Sequence, residues 1–143
     1  MLNGLNHRKL KMNRTRMLLL LMLIYAAASL THFIHNAVHI HAYPNLPSWI
    51  TPYGVYFSWC AIAVIGALGF WLYCRGSRIA GLLIIGLYAL LGFGGLDHYA
   101  MAPVAAHSVG MNASIIVEVS TAFVLLCFVA QLMLLGDKRA GAL

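Results

Sequence analysis

The stretch RTRMLLLLMLIYAAASLTHFIHNAVH, residues 14–39, decides the fold class. Two arginines open it, no charged residue follows until its end, and it closes on His32, His35 and His39. A hydrocarbon core of about 30 Å takes about 20 helical residues to cross, and the apolar run from Met17 to Val38 meets that length. Length rather than periodicity separates such a run from a buried strand, so the expectation is a membrane-spanning helix. The basic start, the apolar core from Leu18 to Ile24 and the small residues Ala26, Ala27 and Ala28 also fit a signal peptide. Because the apolar character continues through Phe33, Ile34 and Val38, an uncleaved first span is expected.

Three further runs match it: about Val55 to Tyr73, about Ile79 to His98, and about Ser114 to Leu135. The composition agrees, with 62% hydrophobic and only 8% charged residues, where a soluble domain carries about a quarter charged. The reading is an all-α integral membrane protein, with residues 1–143 forming one domain of four transmembrane helices in an antiparallel bundle.

Charge sets the expected orientation. Arg8, Lys9, Lys11, Arg14 and Arg16 precede the first run, Arg75 and Arg78 sit in a short turn, and Lys138 and Arg139 follow the last run. The formal charge of +6 is therefore a positive-inside pattern and not a nucleic-acid groove. Both termini are expected in the cytoplasm, in a bacterial inner (plasma) membrane, with the lipid bilayer as principal partner. The connection around Tyr43-Pro44 and Pro47-Ser48-Trp49 then lies outside, where Trp49, Tyr53 and Tyr56 suit an interfacial belt. A second outer connection contains Pro103 and His107. Cys60, Cys74 and Cys127 show no metal or redox spacing and are expected as small buried hydrophobes.

The opposite end of the spans gathers the ionisable groups. His32, His35 and His39 follow an i, i+3, i+7 spacing that puts them on one helix face, and Tyr25 extends that stripe inward, with Asn36 bordering it. Asp97 and His98 end the third run, and Glu118 is expected about one turn into the fourth. A carboxyl in the hydrocarbon region costs several kcal/mol if ionised and unpaired, so Glu118 needs a partner. His41 and His107 are expected in exposed loops. Gly81, Gly86, Gly92, Gly94 and Gly95 make the third helix smooth enough for close packing.

Imidazoles and carboxylates converging from separate spans suit a transition metal such as Cu, Zn or Fe. The expected ligands are His32, His35, His39, Asp97, His98 and Glu118, in a site facing the extracytoplasmic side. Met101 and Met111 beside His107 favour copper slightly. If the protein is an enzyme, Glu118 serves as its base and an apolar or lipid substrate enters sideways. The competing expectations are metal or proton transport without catalysis, haem held by two histidines, a small accessory subunit of a larger membrane complex, and homo-oligomerisation. Gly95-Leu96-Asp97-His98 is similar to the Gly-x-Asp-His element of some nickel and cobalt permeases; the rest of that pattern is absent, and no function is carried over from it.

Overall fold

Side-chain caps start two of the long helices, and a glycine turn joins one consecutive pair. The computed structural model describes the backbone of residues 2–140 and the side chains of residues 12–134. Its helices are α1 (Leu2–Val38), α2 (Pro52–Cys74), α3 (Arg78–Leu91), α4 (Asp97–Met101) and α5 (Val109–Ala140). Short 3-10 turns occupy Ile40–Ala42, Gly92–Leu96 and Val104–Ala106, and no strand occurs among the described residues. Among the described residues, four stretches are long and apolar enough to cross a membrane: Met12–Val38, Pro52–Cys74, Arg78–Met101 and Val109–Leu134. The third is composite, running through α3, the Gly92–Leu96 turn and α4.

Two helices start earlier than the hydropathy predicts. Thr51 accepts a hydrogen bond from the Gly54 amide through Oγ1 (3.1 Å), and Pro52 occupies the first turn, so α2 begins at Pro52 instead of Val55. Ser108 Oγ accepts from the Met111 amide (3.2 Å), which starts α5 at Val109 rather than Ser114. Glu118 is therefore more than two turns into its helix, not one. Gly110 and Asn112 hide this start, because neither looks helical by hydropathy.

The α2–α3 turn needs glycine. Gly76 adopts φ 97°, and the amides of Gly76 and Ser77 bond back to the carbonyls of Tyr73 (3.3 Å) and Leu72 (3.1 Å). This is a Schellman closure, which places glycine at the left-handed position. Beyond it, a Cβ on Gly81 would stand 2.5 Å from the Tyr73 amide nitrogen, so only glycine lets α3 lie this close to α2.

The core follows a seven-residue spacing. On α1 the stripe of buried positions runs through Leu18, Met22, Tyr25, Ser29 and His32, with Ala37 buried off it; on α5 it runs through Met111, Ile115, Glu118, Ala122, Leu125, Val129 and Leu132. Steps of four and three keep one seam facing the neighbouring helix. Leu82, Ile85, Tyr88 and Ala89 of α3 pack into the same cluster. The outward faces are apolar too, with Leu23, Phe57, Val64, Leu83, Val117 and Phe123 all exposed. Cys60, Cys74 and Cys127 lie on this outer surface, contrary to the expected burial. Their sequence surroundings could not reveal this, since both faces of these helices are hydrophobic.

Candidate functional site

The seam that packs leucine against leucine at one end carries ionisable groups at the other. His32 continues the α1 stripe and Glu118 the α5 stripe, and both are almost completely buried, at 2% and 1% exposure. Their side chains meet with His32 Nε2 3.5 Å from Glu118 Oε2.

The hydrogen bonds determine which nitrogen of His32 carries the proton. Ser114 Oγ gives its only proton to the Met111 carbonyl (2.9 Å), so it must accept from His32 Nδ1 (3.0 Å). Nε2 is then an unprotonated acceptor, and it takes one amide proton of Asn36 (3.0 Å). His98 Nε2 takes the other (3.4 Å). Two imidazole lone pairs, one from α1 and one from α4, thus address a single nitrogen. The Asn36 carbonyl oxygen and Glu118 Oε2 are buried without hydrogen-bond partners. A bare Nε2 facing a partnerless carboxylate oxygen is electrostatically incomplete without a cation or a proton nearby.

The Gly92–Leu96 turn brings His98 to this point. Buried positions advance along α3 through Gly81, Ile85 and Tyr88 and on through Gly92 and Gly95 of the turn. A 3-10 segment advances three residues per turn, so the position after Gly95 on that face is His98. Gly95 also leaves room for the acid: a Cβ there would lie 3.1 Å from Glu118 Oε2. Gly92 does the same for Tyr25, whose hydroxyl would stand 2.6 Å from such a Cβ. The Tyr25 hydroxyl and Ser29 Oγ are buried and unpartnered on the α1 stripe below Glu118.

An aromatic wall encloses the cluster on its outer side. Tyr43 lies tilted against His98, with ring centres 4.7 Å apart, and its hydroxyl bonds to His35 Nδ1 (2.9 Å). Burial pushes the Tyr43 phenol up to about 12. The phenol is therefore neutral at ordinary pH and available as a donor. His107 is buried, not exposed as its loop position suggested, and its ring centre is 6.2 Å from that of His98. Its Nδ1 donates to the Pro103 carbonyl (3.1 Å), which leaves Nε2 as a buried acceptor with no partner.

The expected ligands are thus sorted by the fold. His32, His98 and Glu118 come together. His35 is half-buried and turned toward Tyr43. His39 lies one residue past the end of α1 and is exposed, stacking only on His35 at 4.6 Å between ring centres. Asp97 is exposed, as is His41. Among the described residues, no group of three or more His, Cys, Asp or Glu side chains stands close enough to hold a metal ion. Asn36, Tyr43, Ser114 and His107 are the cluster members that the spacing of ionisable residues missed. Asn36 was legible as the position four residues beyond His32 on the same stripe. Tyr43 and His107 belong to connections, whose placement no helical period encodes.

The fold and the cluster together define a class: an all-helical protein with four membrane-length apolar helices and a buried imidazole–carboxylate–amide network. No protein-family model matches the chain, and neither a curated protein nor a solved structure matches it.

Proposed function

We propose that the chain is an integral membrane protein of four antiparallel spans that binds a transition-metal ion between His32, His98 and Glu118. Both termini lie on the cytoplasmic side, with the site near the extracytoplasmic boundary. The distribution of all nine lysines and arginines supports this orientation. One observation carries the metal reading: the bare Nε2 atoms of His32 and His98 address the same Asn36 nitrogen, while Glu118 Oε2 beside them has no partner. The ion would take the role of the Asn36 amide, accepting both lone pairs and compensating the carboxylate. Two imidazoles and one carboxylate suit Zn, Fe or Cu, and the bare Nε2 of His107 is the available fourth donor. Such an ion would act as a Lewis acid in a water-poor setting.

Elemental analysis of the purified full chain tests the reading. About one ion per chain is expected, falling to background in a His32→Ala, His98→Ala double variant. Protein that carries no stoichiometric metal and takes up none from added Zn, Fe or Cu would remove the proposal.

A second reading follows from the absence of a tight three-ligand group among the described residues. A proton held between His32 and Glu118 would also complete the network, making it a proton-handling site with Asn36 and His98 as the connecting groups. Isotope-edited infrared spectra separate the two, since a shared proton gives a carboxylic C=O band lost in Glu118→Gln, and a bound metal gives carboxylate bands only.

A further inference from the structure

On the flank of the bundle, away from the ionisable cluster, α1 and α2 leave a groove of about 480 Å³ between them. Leu19 and Leu23 of α1 line it with Trp59, Ala67 and Trp71 of α2, and the buried Tyr88 of α3 closes its base. Nearly all of the lining is apolar. Along α2 it extends from Trp59 to Cys74, about 22 Å at 1.5 Å per residue, which exceeds the roughly 15 Å of hydrocarbon in one leaflet. Spread over that length, the volume gives a mean cross-section of about 22 Å², against roughly 80 Å² for a helix about 10 Å across. A hydrocarbon chain enters such a groove, whereas a helix rests only on its rim.

One end of this groove is basic. Arg75 follows the lining residue Cys74, and its guanidinium carbon stands 5.2 Å from the centre of the Trp71 ring, which lines the same end. Arg16 is exposed three residues before Leu19, the spacing that puts it on the face of Leu19 and Leu23. Gly81 packs on Tyr73, and Arg78 donates to the Leu132 carbonyl (3.0 Å), so the turn carrying Arg75 lies at the Leu18 and Leu132 end of the seam. Neither Arg16 nor Arg75 has a carboxylate partner among the described residues, whose two acidic side chains, Asp97 and Glu118, belong to the opposite end. We infer that the groove binds one acyl chain of an anionic phospholipid, with its phosphate held by Arg16 and Arg75. The guanidinium fork matches phosphate oxygens, and the chain covers apolar surface that neither α1 nor α2 buries. A zwitterionic headgroup would bring an ammonium to two cations with no described carboxylate to receive it. The inference rests on the membrane placement proposed above and is independent of the metal.

The test uses the full chain, one copy per phosphatidylcholine nanodisc, with Trp49→Phe leaving the two groove tryptophans as its only tryptophan fluorophores. A small fraction of phosphatidylglycerol brominated on its acyl chains is expected to quench them with about tenfold higher relative affinity than equally brominated phosphatidylcholine, the scale set by two basic groups at an anionic headgroup. Arg16→Gln combined with Arg75→Gln is expected to remove most of that preference. Ala67→Phe, which fills the groove from an exposed α2 position without changing charge, is expected to do the same. Equal quenching by the two lipids in the otherwise wild-type chain would overturn the inference. So would an unchanged preference in either folded variant, which would assign the effect to a basic surface without a groove. Weaker quenching when two copies share a disc would place a second copy over the groove and overturn it as well. A chain that does not enter discs at all would overturn the membrane placement together with this site, whereas the other results leave that placement standing.

Discussion

The two ends of the α1–α5 seam are built on one register and filled with opposite chemistry. At the end holding Leu18, Leu125, Val129 and Leu132, every buried position is aliphatic and the neighbouring α2–α3 pair is drawn tight by Gly81. At the other end the same spacing delivers Ser29, His32 and Glu118, and the glycines of the third span make room for polar atoms instead of backbone. A helix register specifies which positions are buried, and it is indifferent to what they carry. The aliphatic end gains its stability from packing, whereas the polar end gives up packing energy to hold buried polar atoms, several of them without a hydrogen-bond partner.

Substitutions at the two ends should therefore behave differently. The largest effect belongs to the aliphatic end: Leu125→Ala opens a cavity in a fully packed seam and is expected to cost about 3 kcal/mol. Reversible unfolding in mixed micelles would measure it, and a loss below about 1 kcal/mol would mean that the seam is not tightly packed. An intermediate effect is expected at Tyr43, in the wall of the polar end. Its phenol is raised from 10.0 to about 12 by burial, so the folded state keeps the proton that the unfolded chain releases. The contribution is fully present below pH 10 and is lost as pH rises toward about 12. Wild type should lose on the order of 2 kcal/mol across that window beyond the loss seen in Tyr43→Phe. Parallel curves for the two proteins would mean that the phenol is not held neutral by the fold.

The smallest effect on stability should come from the most conspicuous residues. Replacing both members of the buried pair, as in His32→Leu with Glu118→Leu, is expected to change stability by about 1 kcal/mol or less, or to raise it. Removing Glu118 or His32 alone should cost more than removing both, because the survivor is left buried beside a mismatched partner. If the double variant is instead as damaged as Leu125→Ala, the polar end is a structural keystone and the contrast between the two ends disappears.

Much of the architecture was legible in residue order. Four apolar runs of membrane length correspond to the four helical spans, and the seven-residue step from Tyr25 to His32 put both on one helix face, which the fold buries. The i, i+3, i+7 pattern was misleading at its far end. His39 fits the face, but α1 stops at Val38, and a residue beyond the last helical turn no longer follows the helical period. The starts of α2 and α5 were placed late because the capping groups Thr51 and Ser108 sit in polar stretches that hydropathy assigns to loops.

Periodicity and length in the sequence alone thus determined the helical class, the four apolar spans and the alignment of Tyr25 with His32, because these depend only on local geometry and on the energetics of burying apolar surface. Tertiary structure decided that Glu118 faces His32, that Asn36 bonds to two imidazoles, that His107 is buried and that Asp97 is not. Those outcomes depend on how separate helices pack and on a short 3-10 segment that re-aims His98, and neither is written in the period of any single helix.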